Sequence, residues 1–240
     1  KNVTGYDLVK LMAGSYGTLG VLTEVALKVL PRPRSSGVLL SKGLNDAQAI
    51  TALSRALGSP YEVTGAAHLQ TGADGAPVTM IRLEGFETSV AYRAGELQSL
   101  LAGVGRFTLE TDPARTETAW HHVRDVGPFH GRDGDVWRLL VKPTDAPGIV
   151  AGLAGTEALY DWGGGLIWLL APEGSGVNAG KLRAAVAAKG GHAMLIRGDR
   201  SRATFPPLPA PVAALQEGLR QKFDPRQILN PGLMAQGETA

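Results

Sequence analysis

Residues 38–69 read VLLSKGLNDAQAITALSRALGSPYEVTGAAHL, and this stretch decides the fold. A short strand is expected near Val38 to Ser41. Asn45 then stands where a helix N-cap belongs, its side-chain oxygen able to accept a first-turn N–H, and the helix runs to Leu57. A second strand follows from Tyr61 to Leu69. Working outward, the turn Ala73-Asp74-Gly75-Ala76 leads to a strand at Val78 to Leu83, a helix at Glu87 to Leu101 and a strand at Arg106 to Glu110. The order is βαββαβ, the split-βαβ or ferredoxin-like unit. After a helix from about Pro113 to Asp125 a similar order returns: strand Val136 to Val141, helix near Pro147 to Leu153, strands Ala158 to Trp162 and Leu166 to Leu170, helix Val177 to Lys189, strand Ala193 to Arg197. The two units predict one continuous antiparallel sheet with helices on one face. No residue-level repeat links the halves, so the duplication is architectural.

The flanks differ in character. Tyr6 to Ser15 is helix-compatible until Tyr16-Gly17-Thr18-Leu19-Gly20 breaks the pattern. Val21 to Leu30 alternates apolar residues with Thr23, Glu24 and Lys28, which reads as a strand ended by Pro31-Arg32-Pro33-Arg34. At the other end Phe205-Pro206-Pro207-Leu208-Pro209 marks a boundary before a helix from about Pro211 to Phe223 and a closing coil. Three pieces result: residues 1–33, 34–205 and 206–240. The chain opens at Lys1 in what reads as the middle of a domain, so a truncated or processed product is expected.

Bulk composition narrows the function classes. With 240 residues and 44% hydrophobic content, the chain can bury one large core or two modest ones. The net charge is +2, and no run of adjacent basic residues exceeds two. Nucleic-acid binding needs a concentrated basic stripe, so it is a poor fit. The absence of cysteine excludes disulfides, zinc thiolates, iron–sulfur ligation and a cysteinyl flavin link, and it suits a cytoplasmic protein. No apolar run approaches the roughly 18 to 20 residues that span a bilayer. Any membrane association is expected to be peripheral or through a partner.

The Gly-rich turn Gly14-Ser15-Tyr16-Gly17-Thr18-Leu19-Gly20-Val21 can expose several backbone N–H groups to a pyrophosphate, because glycine lets a ligand approach the backbone closely. Taken alone it is also what a plain turn looks like. Read together, residues 1–24, KNVTGYDLVKLMAGSYGTLGVLTE, resemble the end of the FAD-binding domain in the vanillyl-alcohol-oxidase-type FAD-linked oxidases, most closely the FAD-binding subunits of bacterial glycolate oxidase. The likeness returns at Phe223-Asp224-Pro225 and Ile228-Leu229-Asn230-Pro231-Gly232. It is also present at Trp120 to Asp125, Asp135 to Leu139, Asp161 to Gly164 and Gly190 to Ala193. It implies an α+β chain made of a truncated remnant of an FAD-binding domain, a cap of two ferredoxin-like units, and a tail returning to the flavin domain. It assigns cofactor contact to Gly17, Thr18, Leu19, Gly20 and Val21, a weaker contact to Asn2, Gly5 and Tyr6, and a contact from the tail to Asn230, for which an Asn-Pro turn is the alternative. FAD would be held non-covalently, and the site is expected to be incomplete in this chain.

The resemblance also implies a small 2-hydroxyacid substrate and sister subunits of a glycolate oxidase complex, with a non-catalytic docking scaffold as the alternative function. Arg124 aligns with an arginine that meets the substrate carboxylate in metal-dependent relatives. Guanidinium suits that task because it offers two parallel donors, although an ion pair with a neighbouring acid explains such an arginine equally well. His192 is a candidate base for the substrate hydroxyl, against a purely structural role. In those relatives paired histidines in a Gly-rich strand turn hold a metal. Here the comparable stretch is Asp161-Trp162-Gly163-Gly164-Gly165-Leu166-Ile167-Trp168, which lacks histidine, and no metal is expected. Trp137, Trp162 and Trp168 are expected to serve core or interface packing.

Overall fold

The computed structural model describes residues 7–199 and 202–234. It divides into two compact units, one of Pro31–Asp199 and one of Lys1–Leu30 with Arg200–Ala240. The chain opens, in the smaller unit, with a short helix α1 (Leu8–Met12) capped by the Asp7 carboxylate.

The larger unit holds β1 (Ser35–Lys42), α2 (Asp46–Leu57), β2 (Gly65–Leu69), β3 (Val78–Gly85), α3 (Glu87–Leu101), β4 (Thr108–Glu110), α4 (Pro113–Arg124), β5 (Asp135–Leu140), α5 (Ala146–Ala151), β6 (Glu157–Asp161), β7 (Leu166–Ala171), α6 (Ala179–Ala187) and β8 (His192–Arg197). Its strands form one eight-stranded sheet in the order β4-β1-β3-β2-β6-β7-β5-β8, every pairing antiparallel. The element order repeats, and the strand order of the first half reappears reversed in the second.

Local chemistry explains the elements. Asn45 accepts from the Gln48 N–H at 3.0 Å while the Gln48 side chain accepts from the Asn45 N–H at 3.1 Å, so two otherwise unpaired donors are satisfied at the start of α2. Asp112 and Asn178 cap α4 and α6 in the same one-sided way. The strands alternate between two faces, with one register shift where β8 pairs with β5 near Val136. Leu39, Ile81, Ala66, Tyr160, Ile167, Leu139 and Ala193 meet the apolar sides of α2, α3, α5 and α6 in the main core. Val38, Met80, Ala67, Leu159, Leu170 and Val136 point the other way, against Val123 and Phe129.

That second cluster corrects the expectation of helices on one face. α4 lies on the opposite face, drawn there by Val123 and the half-buried Ala119 and Trp120. A second correction concerns Val21 to Leu30, which forms no strand. The alternation is present, but a strand needs a neighbour for its N–H and C=O groups, and among the described residues none pairs with it. Leu27 and Leu30 are 80% and 87% exposed.

The two halves of the sheet meet where β2 pairs with β6, over only His68↔Tyr160 and Leu69↔Leu159. A buried polar cluster reinforces this short seam. Asp46 accepts from the Tyr160 hydroxyl at 2.6 Å and from Gln70 Nε2 at 2.7 Å, and lies 3.3 Å from His68 Nε2. Gln70 Oε1 takes the Ala158 N–H at 2.7 Å, and His68 Nδ1 sits 2.9 Å from Thr79 Oγ1. Burial alone would raise the Asp46 pKa, but the hydrogen bonds from His68, Tyr160 and Gln70 outweigh it and hold the carboxyl below its ordinary value. Burial first, and then the Asp46 carboxylate, push the Tyr160 phenol far up, so it stays a donor.

Candidate functional site

On the face of the sheet carrying α4, part of the surface stays uncovered and forms a cleft of about 520 Å³. Arg138 stands in it. The residue is central in β5, where Trp137 and Leu139 turn into the main core and Arg138, by the two-residue period of a strand, turns away from it. It pairs in register with Trp168 on β7. Its guanidinium carbon lies 5.7 Å from the Trp162 ring and 6.0 Å from the Trp168 ring. Among the described residues no hydrogen bond or ion pair reaches it.

The other two arginines of the cleft are committed. Arg82 bonds the Thr64 carbonyl at 3.1 Å, lies 3.5 Å from Glu84 and sits 4.5 Å over the Trp120 ring. Arg124 grips Asp125 with two bonds of 2.7 and 2.8 Å. A half-buried guanidinium with no counter-ion among the described residues, flanked by two indole faces, can hold an anion: planar donors suit a carboxylate, and the rings favour the cation by their negative faces.

Asp161 closes one side of the cleft. Its carboxylate accepts the Trp162 N–H at 2.7 Å. Burial pushes the Asp161 carboxyl above its ordinary range, although the Trp162 N–H and the Arg82 charge pull the other way. The turn that follows holds Trp162, Gly163 and Gly164 at φ 52°, 66° and 100°. A Cβ on Gly164 would come within 2.7 Å of Ile50 Cδ1, and one on Gly163 would overlap Leu57. The glycines are thus demanded by close packing on α2 and by a left-handed backbone. The opposite wall is similar: Trp120 packs closely on Gly65, where any Cβ would overlap the indole.

In the smaller unit, the turn after α1 has Gly14, Tyr16 and Gly17 in the left-handed region. Ser15 and Thr18 are buried, and Thr18 Oγ1 donates to the Ser15 carbonyl at 2.6 Å. The last helix, α7 (Ala210–Phe223), is followed by a loop organised by Asp224, whose buried carboxylate accepts the N–H groups of Ile228 at 3.2 Å and Leu229 at 2.8 Å. Burial would raise the Asp224 pKa, but these amides and Arg220 lower it. The loop delivers Asn230, whose Nδ2 donates to the Tyr16 carbonyl at 2.8 Å, directly over Gly17. The N–H groups of Gly17, Leu19 and Gly20 make no hydrogen bond among the described residues.

The expected site residues therefore distribute as follows. Asn2, Gly5 and Tyr6 lie outside the described residues. Gly17, Thr18, Leu19 and Gly20 form the turn, Val21 follows it exposed, and Asn230 braces it. Arg124 lines the cleft but is paired with Asp125. His192 opens the edge strand β8, exposed, and does not line the cleft. Trp137 is core as expected, whereas Trp162 and Trp168 flank Arg138. Sequence reasoning missed Arg138, Arg82 and Asp161. The available signal was a charge in the middle of the largely apolar strand Asp135-Val136-Trp137-Arg138-Leu139-Leu140. Among the described residues no three His, Asp or Glu side chains converge as metal ligands, and no helix is long and apolar enough to cross a membrane.

No family model matches the sequence. The chain is 36% identical over 235 residues to the glycolate oxidase subunit GlcE of Escherichia coli K12, an alignment covering 98% of this chain and 59% of GlcE. It is 26% identical over 181 residues to the glycolate oxidase subunit GlcD of the same organism, covering 65% of this chain and 35% of GlcD. Among solved structures, an alkyldihydroxyacetonephosphate synthase matches with a TM-score of 0.63 at 17% identity, over 97% of this chain and 50% of that one, which shows a shared fold. The chain spans little more than half the length of GlcE. Along nearly all of its own length, the chain is similar to the glycolate oxidase subunit GlcE.

Proposed function

We propose that this chain is the substrate-facing part of a flavin-linked 2-hydroxyacid oxidoreductase subunit that works within a glycolate oxidase complex, beside subunits of the GlcD kind. The observation that carries this reading is Arg138, an uncommitted guanidinium between two indoles in an open cleft. It would pair with the carboxylate of a small 2-hydroxy acid, while Trp162 and Trp168 exclude water from that contact and so strengthen it. Each half of the sheet is read as a ferredoxin-like unit that sets strand β5 at the centre of its half.

The turn at Gly17 fits a non-covalently held FAD. Its unpaired N–H groups at Gly17, Leu19 and Gly20 offer donors to a phosphate or a flavin carbonyl, and Asn230 fixes the turn from the far end of the chain. When bound, the flavin would supply the hydride acceptor. The chain's own residues bind and orient: Arg138 holds the carboxylate, and the tryptophans set the ring-walled cavity around it. Arg124, anchored by Asp125, adds positive charge to the rim. His192 lies outside the lining and is not carried into this reading.

The test is Arg138→Gln in the complete subunit assembled with its partners. Losing hydrogen bonds to a charged group, at about 1.5 to 3 kcal/mol, should raise the KM for glycolate by roughly ten- to a hundredfold. Flavin content should stay at the wild-type level. Unaltered kinetics with full flavin would remove the substrate role and leave a docking scaffold.

A further inference from the structure

Arg138 accounts for an anionic end of the ligand, but the cleft also presents Asp161, a second group that forms no ion pair among the described residues. Register places the two on different strands of one face: Asp161 pairs with Leu166 on β7, and Arg138 pairs with Trp168 on the same strand. β6 and β5 flank β7, so the two backbones are about 10 Å apart laterally and, with Leu166 and Trp168 two residues apart, about 7 Å along the strands, and both residues line the same cavity. The long stem of Arg138 carries its guanidinium carbon to 5.7 Å from the ring of Trp162, the residue after Asp161. A small molecule with a carboxylate at one end and a hydrogen-bonding oxygen on the next carbon would offer the first to Arg138 and the second to Asp161.

We propose that Asp161 is the specificity residue that distinguishes a 2-hydroxy acid from the corresponding 2-oxo acid in this cleft. The inference rests on the carboxylate-binding reading of Arg138 and deepens it. An ionised carboxylate can only accept, so it takes the O–H of a 2-hydroxy acid and repels the carbonyl of a 2-oxo acid. A protonated carboxyl donates, so it prefers the carbonyl. Burial moves the Asp161 carboxyl upward, so that exchange of preference comes at a higher pH than for an ordinary aspartate. The charged groups that line the cleft with Asp161 are Arg82 from β3, Arg124 from α4 and Arg138 from β5, and of these Arg82 acts on the Asp161 carboxyl; an arginine keeps its charge throughout the accessible pH range. The lining contributed by α2, β2 and β7 is uncharged.

The structure thus sets a substrate-reading and a product-releasing form of one side chain. With Asp161 ionised, the hydroxy acid is held and the oxo acid is disfavoured. Taking up a proton reverses the order.

Racemic lactate and pyruvate are suitable probes, because they carry the same carboxylate and differ only at the second carbon. The ratio of their dissociation constants cancels the Arg138 contribution and the general field of the cleft. Isothermal titration calorimetry on the full chain, between about pH 5 and 8 where both ligands stay ionised, is the measurement. Lactate should bind more tightly at pH 8, on the order of tenfold, and its advantage should shrink steadily as the pH falls. Asp161→Asn keeps an acceptor for the Trp162 N–H but both donates and accepts, so it should give a small ratio that does not vary with pH. A wild-type ratio that is flat across this range, or an Asp161→Asn ratio that keeps the wild-type pH profile, overturns the proposal. The wild-type titration needs no variant to fold, so the proposal stays exposed even if Asp161→Asn is unstable. Arg138→Gln separates the two levels. If it abolishes binding of both acids while the ratio stays flat, Asp161 loses its role and the cleft keeps its own. If both acids bind as before, or if neither binds the wild-type chain at millimolar concentration, the carboxylate reading falls and takes Asp161 with it.

Discussion

Replacing Gly65 by alanine tests how the cleft wall is built. The new methyl carbon would overlap the Trp120 ring, on a strand held in register at this position by its pairing with Arg82 on β3. Trp120 is half-buried, so the indole must swing out instead and give up its place 4.5 Å beneath Arg82. Overpacking of this kind costs about 1 to 3 kcal/mol, and the lost cation–π contact adds about 0.5 to 1 kcal/mol. For a unit of this size, each kcal/mol lowers the melting temperature by about 2 to 4 °C. The expected result is a loss of roughly 3 to 16 °C in thermal unfolding, with a matching fall in the urea midpoint. The decisive assay is a double-mutant cycle with Trp120→Ala. In that background the methyl meets no ring, and the Gly65 substitution should cost less than about 0.5 kcal/mol, because alanine also lowers the entropy of the unfolded chain. An equal cost in both backgrounds would refute the reasoning, since the penalty would then come from the strand and not from the indole.

Gly164→Ala should cost at least about 2 kcal/mol by urea unfolding, because it combines a φ of 100° with a Cβ at 2.7 Å from Ile50; Ile50→Ala should relieve only the second part. Asp46 has a folded-state pKa below its ordinary 3.8, so its stabilising contribution is fully present above that value and is lost as the pH falls through the folded-state pKa. Asp46→Asn should therefore flatten the stability profile below about pH 4 while lowering stability at pH 7, and a steep acid limb surviving in the variant would contradict this. Asp224→Ala should speed amide exchange at Ile228 and Leu229 selectively, and it should loosen Tyr16 through Asn230, as followed by mass spectrometry of the deuterated chain.

Much of the larger unit was legible because its signals are local. Asn45 with Gln48 three residues on is a capping box in sequence and in space, and the strands from Val38 to Arg197 alternate with the correct period. α4 was legible as a helix but not as to its face, since only the packing of Val123 and the contact of Trp120 with Gly65 decide it, and Gly65 lies 55 positions before Trp120 in the chain. Val21 to Leu30 shows the opposite failure. Its alternation reports a capacity to pair, and pairing depends on a partner the pattern does not contain. In the site, Arg124 was visible through its neighbours Trp120 and Asp125, but its bond to Asp125 is a matter of rotamers. Arg138 reads in sequence like any outward-facing residue of an antiparallel strand, because a solvated arginine and one held between two indoles have the same spacing. Only the folding of Trp162 and Trp168 onto the same patch separates them.

The narrow seam between β2 and β6 bears on the order in which the sheet assembles. Within each half, pairings such as β2 with β3 and β6 with β7 join neighbouring segments and close small loops, so their entropic cost is low. The seam brings together Asp46 and Tyr160, separated by 114 positions, and offers few backbone bonds in return. Joining is thus left to a handful of polar side chains that must already be in place on both sides. A chain built this way should form two half-sheets quickly and dock them late, and the docking step should be the one slowed by losing the Tyr160 hydroxyl.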